Sequence, residues 1–147
     1  MAIRMSAILF CALALIPGGA HLIELPNKLH LSADHYRAVQ VIYRGWSLAG
    51  IVVVGALLST VALTLALRHR RGFTAALIGL LCIVATQIIF WSVTFPVNQT
   101  TNNWTLLPAN WQALRLRWEF SHATNAILNA VALFATTIAS VRTPARV

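Results

Sequence analysis

The sequence predicts an all-α integral membrane protein, a single domain over residues 1–147 in which spanning helices form an antiparallel four-helix bundle. Three observations predict it. Apolar residues make up 59% of the chain and charged residues only 10%, against about 25% charged in soluble domains, and the mean hydropathy is +0.74. Apolar runs of spanning length recur at about residues 3–25, 46–67, 72–96 and 118–141. The net charge of +8 rests on Lys and Arg residues that flank these runs and do not form a soluble basic face. The expected partner is therefore the lipid bilayer, and no nucleic acid is expected.

The first run, Ile3 to Leu25, holds a continuous apolar stretch from Met5 to Ile16 and carries His21 and Glu24 near its end. Arg4 and the small residues Gly18 and Ala20 also suit a signal peptide, but Leu22, Ile23 and Leu25 extend the run to full spanning length, so a retained span is expected. Pro26 is expected to end it. Asn27 to Arg44 is a polar connector in which Ser32 precedes Ala33-Asp34-His35 and the apolar side chains of Tyr36, Val39 and Ile42 or Tyr43 recur at helical spacing. That pattern predicts a short helix lying at the membrane interface.

Trp46 to Leu67 carries no charge and is the clearest span. The turn Arg68-His69-Arg70-Arg71 is so short that the next run, Gly72 to Pro96, returns antiparallel beside it. Gln87, Trp91, Thr94 and Asn98 recur along that third run as a polar stripe. Val97 to Asn110 reads as a loop, with Trp104 and Trp111 placed as interfacial aromatics. A basic tail with Arg142 and Arg146 follows the fourth span. The positive-inside rule places the Arg68–Arg71 turn in the cytoplasm, and four spans then place both termini there.

Polar chemistry concentrates between Trp111 and Asn129. At 100° per residue Arg115, Trp118, Glu119, His122, Asn125 and Asn129 fall within an arc of about 120° on one helix. The topology brings this stripe to the same end of the bundle as the end of span one, and all the acids of the chain, Glu24, Asp34 and Glu119, lie there. His21 and Glu24 form H-x-x-E on span one, and Glu119 and His122 form E-x-x-H on span four, each pair on one helix face. A di-iron bundle needs more carboxylates than the chain supplies. Three readings stay open. One is a metal site in which His21, Glu24, Glu119 and His122 hold a single ion, as zinc or non-haem iron sites do. Another is a proton-transfer or substrate site on Glu119 and His122 with no cofactor. The bland reading is an ion-pair network in which Arg115, Arg44 or Lys28 satisfies the two glutamates and sets helix register. Haem between two histidines is a minor alternative, since no C-x-x-C-H motif is present. Cys11 and Cys82 lie in apolar runs and read as small buried thiols.

Phe95-Pro96-Val97-Asn98, the polar loop, Trp111 and Trp118-Glu119-Phe120-Ser121-His122 together resemble the anthrone oxygenase-like family of small four-span membrane proteins, most of which have no assigned function. The family pattern often reads Trp-Asn-x-x-His-x-x-Arg, and here Glu119 stands at the Asn and Asn125 at the Arg. The resemblance implies oxidation of a reduced polycyclic aromatic to a quinone by dioxygen. His122 would be the base, with Glu119 beside it. Asn98, Trp111, Arg115, Trp118 and Asn125 are then the expected contacts to a lipophilic aromatic small molecule. The alternative is a non-enzymatic membrane subunit or small carrier whose polar cluster is structural or binds a partner, a second copy of the chain among the partners in view.

Overall fold

A computed structural model describes residues 1–142, so Arg146 of the basic tail lies outside the described residues. Every regular element among them is helical. Helix α1 (Ala2–Lys28) is followed by the short α2 (Ala33–Gln40), a 3-10 turn (Val41–Tyr43), and a second 3-10 turn (Trp46–Leu48) that leads into α3 (Ala49–Ala66). Helix α4 (Phe73–Ile89) runs through a π-helical turn (Phe90–Thr94) into α5 (Phe95–Thr100), and α6 (Trp111–Val141) closes the bundle. Four of these helical stretches, Ala2–Lys28, Trp46–Ala66, Phe73–Thr100 and Trp111–Val141, are long and apolar enough to cross a membrane. The protein is an integral membrane bundle.

Around its axis the order is α1, α3, α4, α6, and α6 packs back on α1. The inward line of α1 is Ala7, Cys11, Ala14, Gly18, His21 and Lys28, a heptad rhythm of small residues that turns polar at one end. Small residues let backbones approach, which is how helices bind one another where lipid supplies no hydrophobic drive. A Cβ on Gly18 would lie 3.2 Å from the Ala126 Cα, and one on Gly79 would lie 2.9 Å from the Thr136 Cγ2. Leu9, Leu58, Leu81, Ile127 and Phe134 point outward and are exposed, as lipid-facing side chains should be.

Three boundaries differ from the sequence expectation. Helix α1 passes through Pro26 to Lys28, because the missing proline N–H removes only one bond while the carbonyls at the helix end gain a donor from another helix. That donor is Arg115, whose Nη1 donates to the Leu31 carbonyl at 2.8 Å and the Lys28 carbonyl at 3.4 Å. Helix α6 begins at Trp111, well before Trp118, so its first turns stand beyond the apolar span. The third span continues to Thr100, and the loop after it is shorter than Val97 to Asn110.

The π turn also breaks the expected stripe on the third span. Pro96 has no N–H to give the Ser92 carbonyl, and the Phe95 N–H bonds the Phe90 carbonyl five residues back. The extra residue rotates everything beyond it. The buried line becomes Ile83, Thr86, Thr94 and Val97, while Trp91 faces outward at 61% exposure. Thr94 meets α6 through a 2.8 Å hydrogen bond between its Oγ1 and the Ser121 Oγ.

Candidate functional site

Lys28 is the centre of the polar end. Heptad spacing on α1 carries it to the same inward line as His21, and it is only 4% exposed. Its Nζ lies 2.9 Å from the His21 Nδ1, 2.9 Å from the Glu24 Oε2 and 3.5 Å from the Glu119 Oε1. The same ammonium stands 4.4 Å from the centre of the Tyr43 ring and 5.8 Å from that of Trp118, where ring faces attract a cation. One cation therefore faces two carboxylates.

The connector closes the cluster from outside the spans. Ser32 caps α2, its Oγ accepting from the His35 N–H, and the helix presents Tyr36, which is fully buried. The Tyr36 hydroxyl donates to the Glu119 Oε1 at 2.9 Å, and the Tyr43 hydroxyl donates to the Glu24 Oε2. Burial, and then the facing Glu119 carboxylate, push the Tyr36 hydroxyl above its ordinary range. Burial, and then the bond to Glu24, do the same to Tyr43. Both phenols are proton-holding donors.

Aromatic rings wall the cluster. His21 stacks on His122 with centroids 4.2 Å apart, and Trp118 meets both edge-on at 4.8 Å and 4.3 Å. The Trp118 Nε1 donates to the Asn98 Oδ1 at 2.7 Å, which fixes the indole from the third span. Stacked rings leave no space for a porphyrin between His21 and His122, so the haem alternative does not fit.

The expected site residues divide into two groups. His21, Glu24, Trp118, Glu119 and His122 converge, with Asn98 behind Trp118. Arg115 and Trp111 do not join them. The Arg115 guanidinium lies 4.7 Å from the Trp111 ring centre and caps α1, so among the basic residues considered for the glutamates it is Lys28 that pairs with them. Where the sequence left open a single ion held by His21, Glu24, Glu119 and His122, the first three of these side chains meet the Lys28 ammonium and His122 stacks on His21. Among the described residues no three His, Cys, Asp or Glu side chains are disposed to hold a metal, and a cluster already built round an ammonium does not fit one.

Lys28 was expected as one of three possible partners of the glutamates, whereas Tyr36 and Tyr43 were not expected in the site. Lys28 had a sequence signal, four residues from Glu24 and seven from His21. Reading Pro26 as a helix end set it in the connector and off the inward line of α1. The tyrosines had no comparable signal, because their partners lie on other helices.

On α6 four buried polar atoms have no hydrogen-bond partner: the Arg115 Nε, the Glu119 Oε2, the His122 Nε2 and the Asn125 Oδ1. The last three recur at three-residue spacing, so they share one side of the helix. Glu119 itself is fully buried, with the His21 Nδ1 4.0 Å from its Oε2. In hydrocarbon an unmet polar group costs several kcal/mol, so three in a row mark a place built to meet something else. No protein-family model, no curated protein and no solved structure matches this chain.

Proposed function

We propose that this membrane protein receives a flat lipophilic aromatic molecule beside the α6 stripe and acts on it as an oxygenase-like enzyme, with Glu119 and His122 supplying acid–base chemistry. The observation that carries this reading is the row of unmet buried atoms, the Glu119 Oε2, His122 Nε2 and Asn125 Oδ1. A hydroxyl or carbonyl on an aromatic ring is the partner they lack, and Trp118 and the stacked histidines offer faces for the ring. The resemblance of Trp118 to His122 to the anthrone oxygenase-like family supports the reaction class. In that reaction His122 takes a proton from a methylene activated by an adjacent aromatic carbonyl. Dioxygen adds to the carbanion as a peroxide, loss of the second methylene proton breaks the O–O bond to leave the inner oxygen as the new carbonyl, and the outer oxygen departs as water with that proton and the one returned by His122. Lys28, held by Glu24, places a positive charge beside the developing negative charge.

The test is oxygen consumption and quinone absorbance with a reduced tricyclic aromatic ketone, measured above the uncatalysed rate. His122→Gln should retain ligand binding while turnover falls by roughly a hundredfold or more. A wild-type rate equal to buffer, with no ligand-induced rise in melting temperature, would overturn the enzyme reading.

A second reading has its own observation. Lys28 against two carboxylates is a complete ion-pair lock between α1 and α6, and a non-enzymatic subunit or carrier needs nothing more from it. Under that reading Glu119→Gln and His122→Gln change stability alone. In either case we place the Arg68–Arg71 turn and both termini in the cytoplasm and the polar cluster at the opposite face, on the positive-inside rule. Reporter fusions after Arg71 and within the Asn98–Asn110 region should report opposite sides, and a cytoplasmic signal from the second would reverse the orientation.

A further inference from the structure

Above the tyrosines, α2 and the loop after α5 enclose a groove of about 550 Å³ that is separate from the Lys28 cluster. Asp34, Arg37, Gln40 and Arg44 line one side, and Asn103 and Trp104 the other. Among the described residues no ion pair engages Asp34, Arg37 or Arg44. Two guanidinia against one carboxylate leave the groove with net positive charge. Beneath its surface Gln40 is 7% exposed and Trp104 is 3% exposed, and neither the Gln40 Nε2 nor the Trp104 Nε1 has an acceptor.

The loop adopts an uncommon backbone to bring Trp104 there. Asn102, Asn103 and Trp104 have φ of 45°, 53° and 65°, a left-handed run that a bulky side chain rarely enters. It is held by the Trp104 N–H donating to the Thr101 Oγ1 at 3.1 Å and by the indole packing edge-on against Tyr36 and Trp118.

We infer that this groove is a binding site for a phosphate group, carried by a membrane lipid headgroup. Guanidinium is the side chain best matched to phosphate oxygens, and both buried groups are N–H donors lacking an acceptor. The terminal torsion of Gln40 is soft enough to turn its amide toward the ligand. The lipid source follows from what surrounds the groove. Val41, Ile42 and Leu48 are exposed apolar side chains, at 50%, 59% and 71%, on the path from the groove to α3, where acyl chains would lie. Asp34 gives the cationic part of a zwitterionic headgroup a counter-charge within the same groove.

The test uses the full chain in neutral detergent and three probes: a short-chain phosphatidic acid, the matching diacylglycerol and inorganic phosphate. The phosphatidic acid should raise the melting temperature and be retained in native mass spectra, and the diacylglycerol should do neither. Arg37→Gln with Arg44→Gln should weaken lipid binding by roughly tenfold or more. Arg37→Lys with Arg44→Lys should retain part of it, and Arg117→Gln, an exposed cation outside the groove, should change nothing. Undiminished binding in the double Gln variant would overturn the site. If that variant fails to fold, equal responses of the wild type to phosphatidic acid and diacylglycerol would overturn it as well. Inorganic phosphate binding as tightly as the lipid would overturn the lipid source and assign the groove to a soluble anion.

Discussion

Toward the Arg68–Arg71 turn, α1 meets its neighbours through Ala7, packed with Leu63, Ala76 and Ala139, and through Cys11 and Ala14, packed with Ala56, Ile83 and Ala132, in clusters where every buried side chain is small or apolar. Toward α2 the same inward line presents His21 and Lys28, and the partners become Glu119, Trp118 and His122. One helix face thus solves two problems. In the first half close backbone approach satisfies everything the helices bring, and hydroxyls such as Thr60, Thr64 and Thr136 bond back to their own helix at 2.8 Å. In the second half charge is buried and only partly met. Packing that leaves no demand holds a bundle together, whereas a cluster with unmet atoms has chemistry to spare for a ligand.

The largest effect that would sharpen this contrast is expected from Lys28→Met, which preserves length but leaves the buried Glu119 without its cation. Unfolding in detergent should show a loss of about 3–5 kcal/mol. Adding Glu119→Gln should restore a good part of it, and strictly additive losses in that double-mutant cycle would break the claim that the two form a lock. Tyr36→Phe comes next. It removes the donor to Glu119 without changing the ring, and a hydrogen bond to a charged group of this kind contributes about 1.5–3 kcal/mol.

The apolar half should answer to volume and not to charge. Gly79→Val puts a side chain where even a Cβ would lie 2.9 Å from the Thr136 Cγ2, and overpacking of that sort costs about 1–3 kcal/mol. Turnover per folded molecule should stay unchanged in this variant, and a selective loss of activity would show that the halves are coupled. A smaller loss, about 1 kcal/mol, is expected from Asn98→Leu, which leaves the Trp118 Nε1 without its acceptor.

The smallest effect at neutral pH comes from the phenols. Tyr36 and Tyr43 hold their protons above the ordinary value of 10.0, so below about pH 10 folded and unfolded chains bind the same number and stability does not change on their account. Above it the unfolded chain loses protons that the folded one keeps, and stability falls as pH rises. Alkaline melts should show this decline, and the double substitution Tyr36→Phe with Tyr43→Phe should flatten it.

Much of this architecture was legible in residue order. The spans follow from uninterrupted apolar length, and the interfacial helix follows from Ser32 and the spacing after it, because both depend on neighbours along the chain. His21, Glu24, Glu119 and His122 were legible as a candidate cluster for a related reason: helical periodicity places each pair on one face, and antiparallel topology brings the two faces to one end. Lys28 was legible only as one of three candidate cations, since whether a helix survives Pro26 and carries Lys28 onto its inward line depends on what caps its end. The cap is Arg115, 87 positions beyond the Lys28 carbonyl it meets.

Local chemistry alone determined that this chain belongs in a membrane, how many of its segments are long and apolar enough to cross one and which end collects the acids, since length, hydropathy and periodicity are properties of contiguous segments. Only the tertiary structure decided that the cation among those acids is Lys28, that Tyr36 and Tyr43 reach in from the connector, and that Trp91 turns away while Thr94 turns inward past the π turn. Each of these depends on a donor, an acceptor or a rotation contributed by a distant part of the chain, and a buried polar group has no preferred partner until packing has excluded the others.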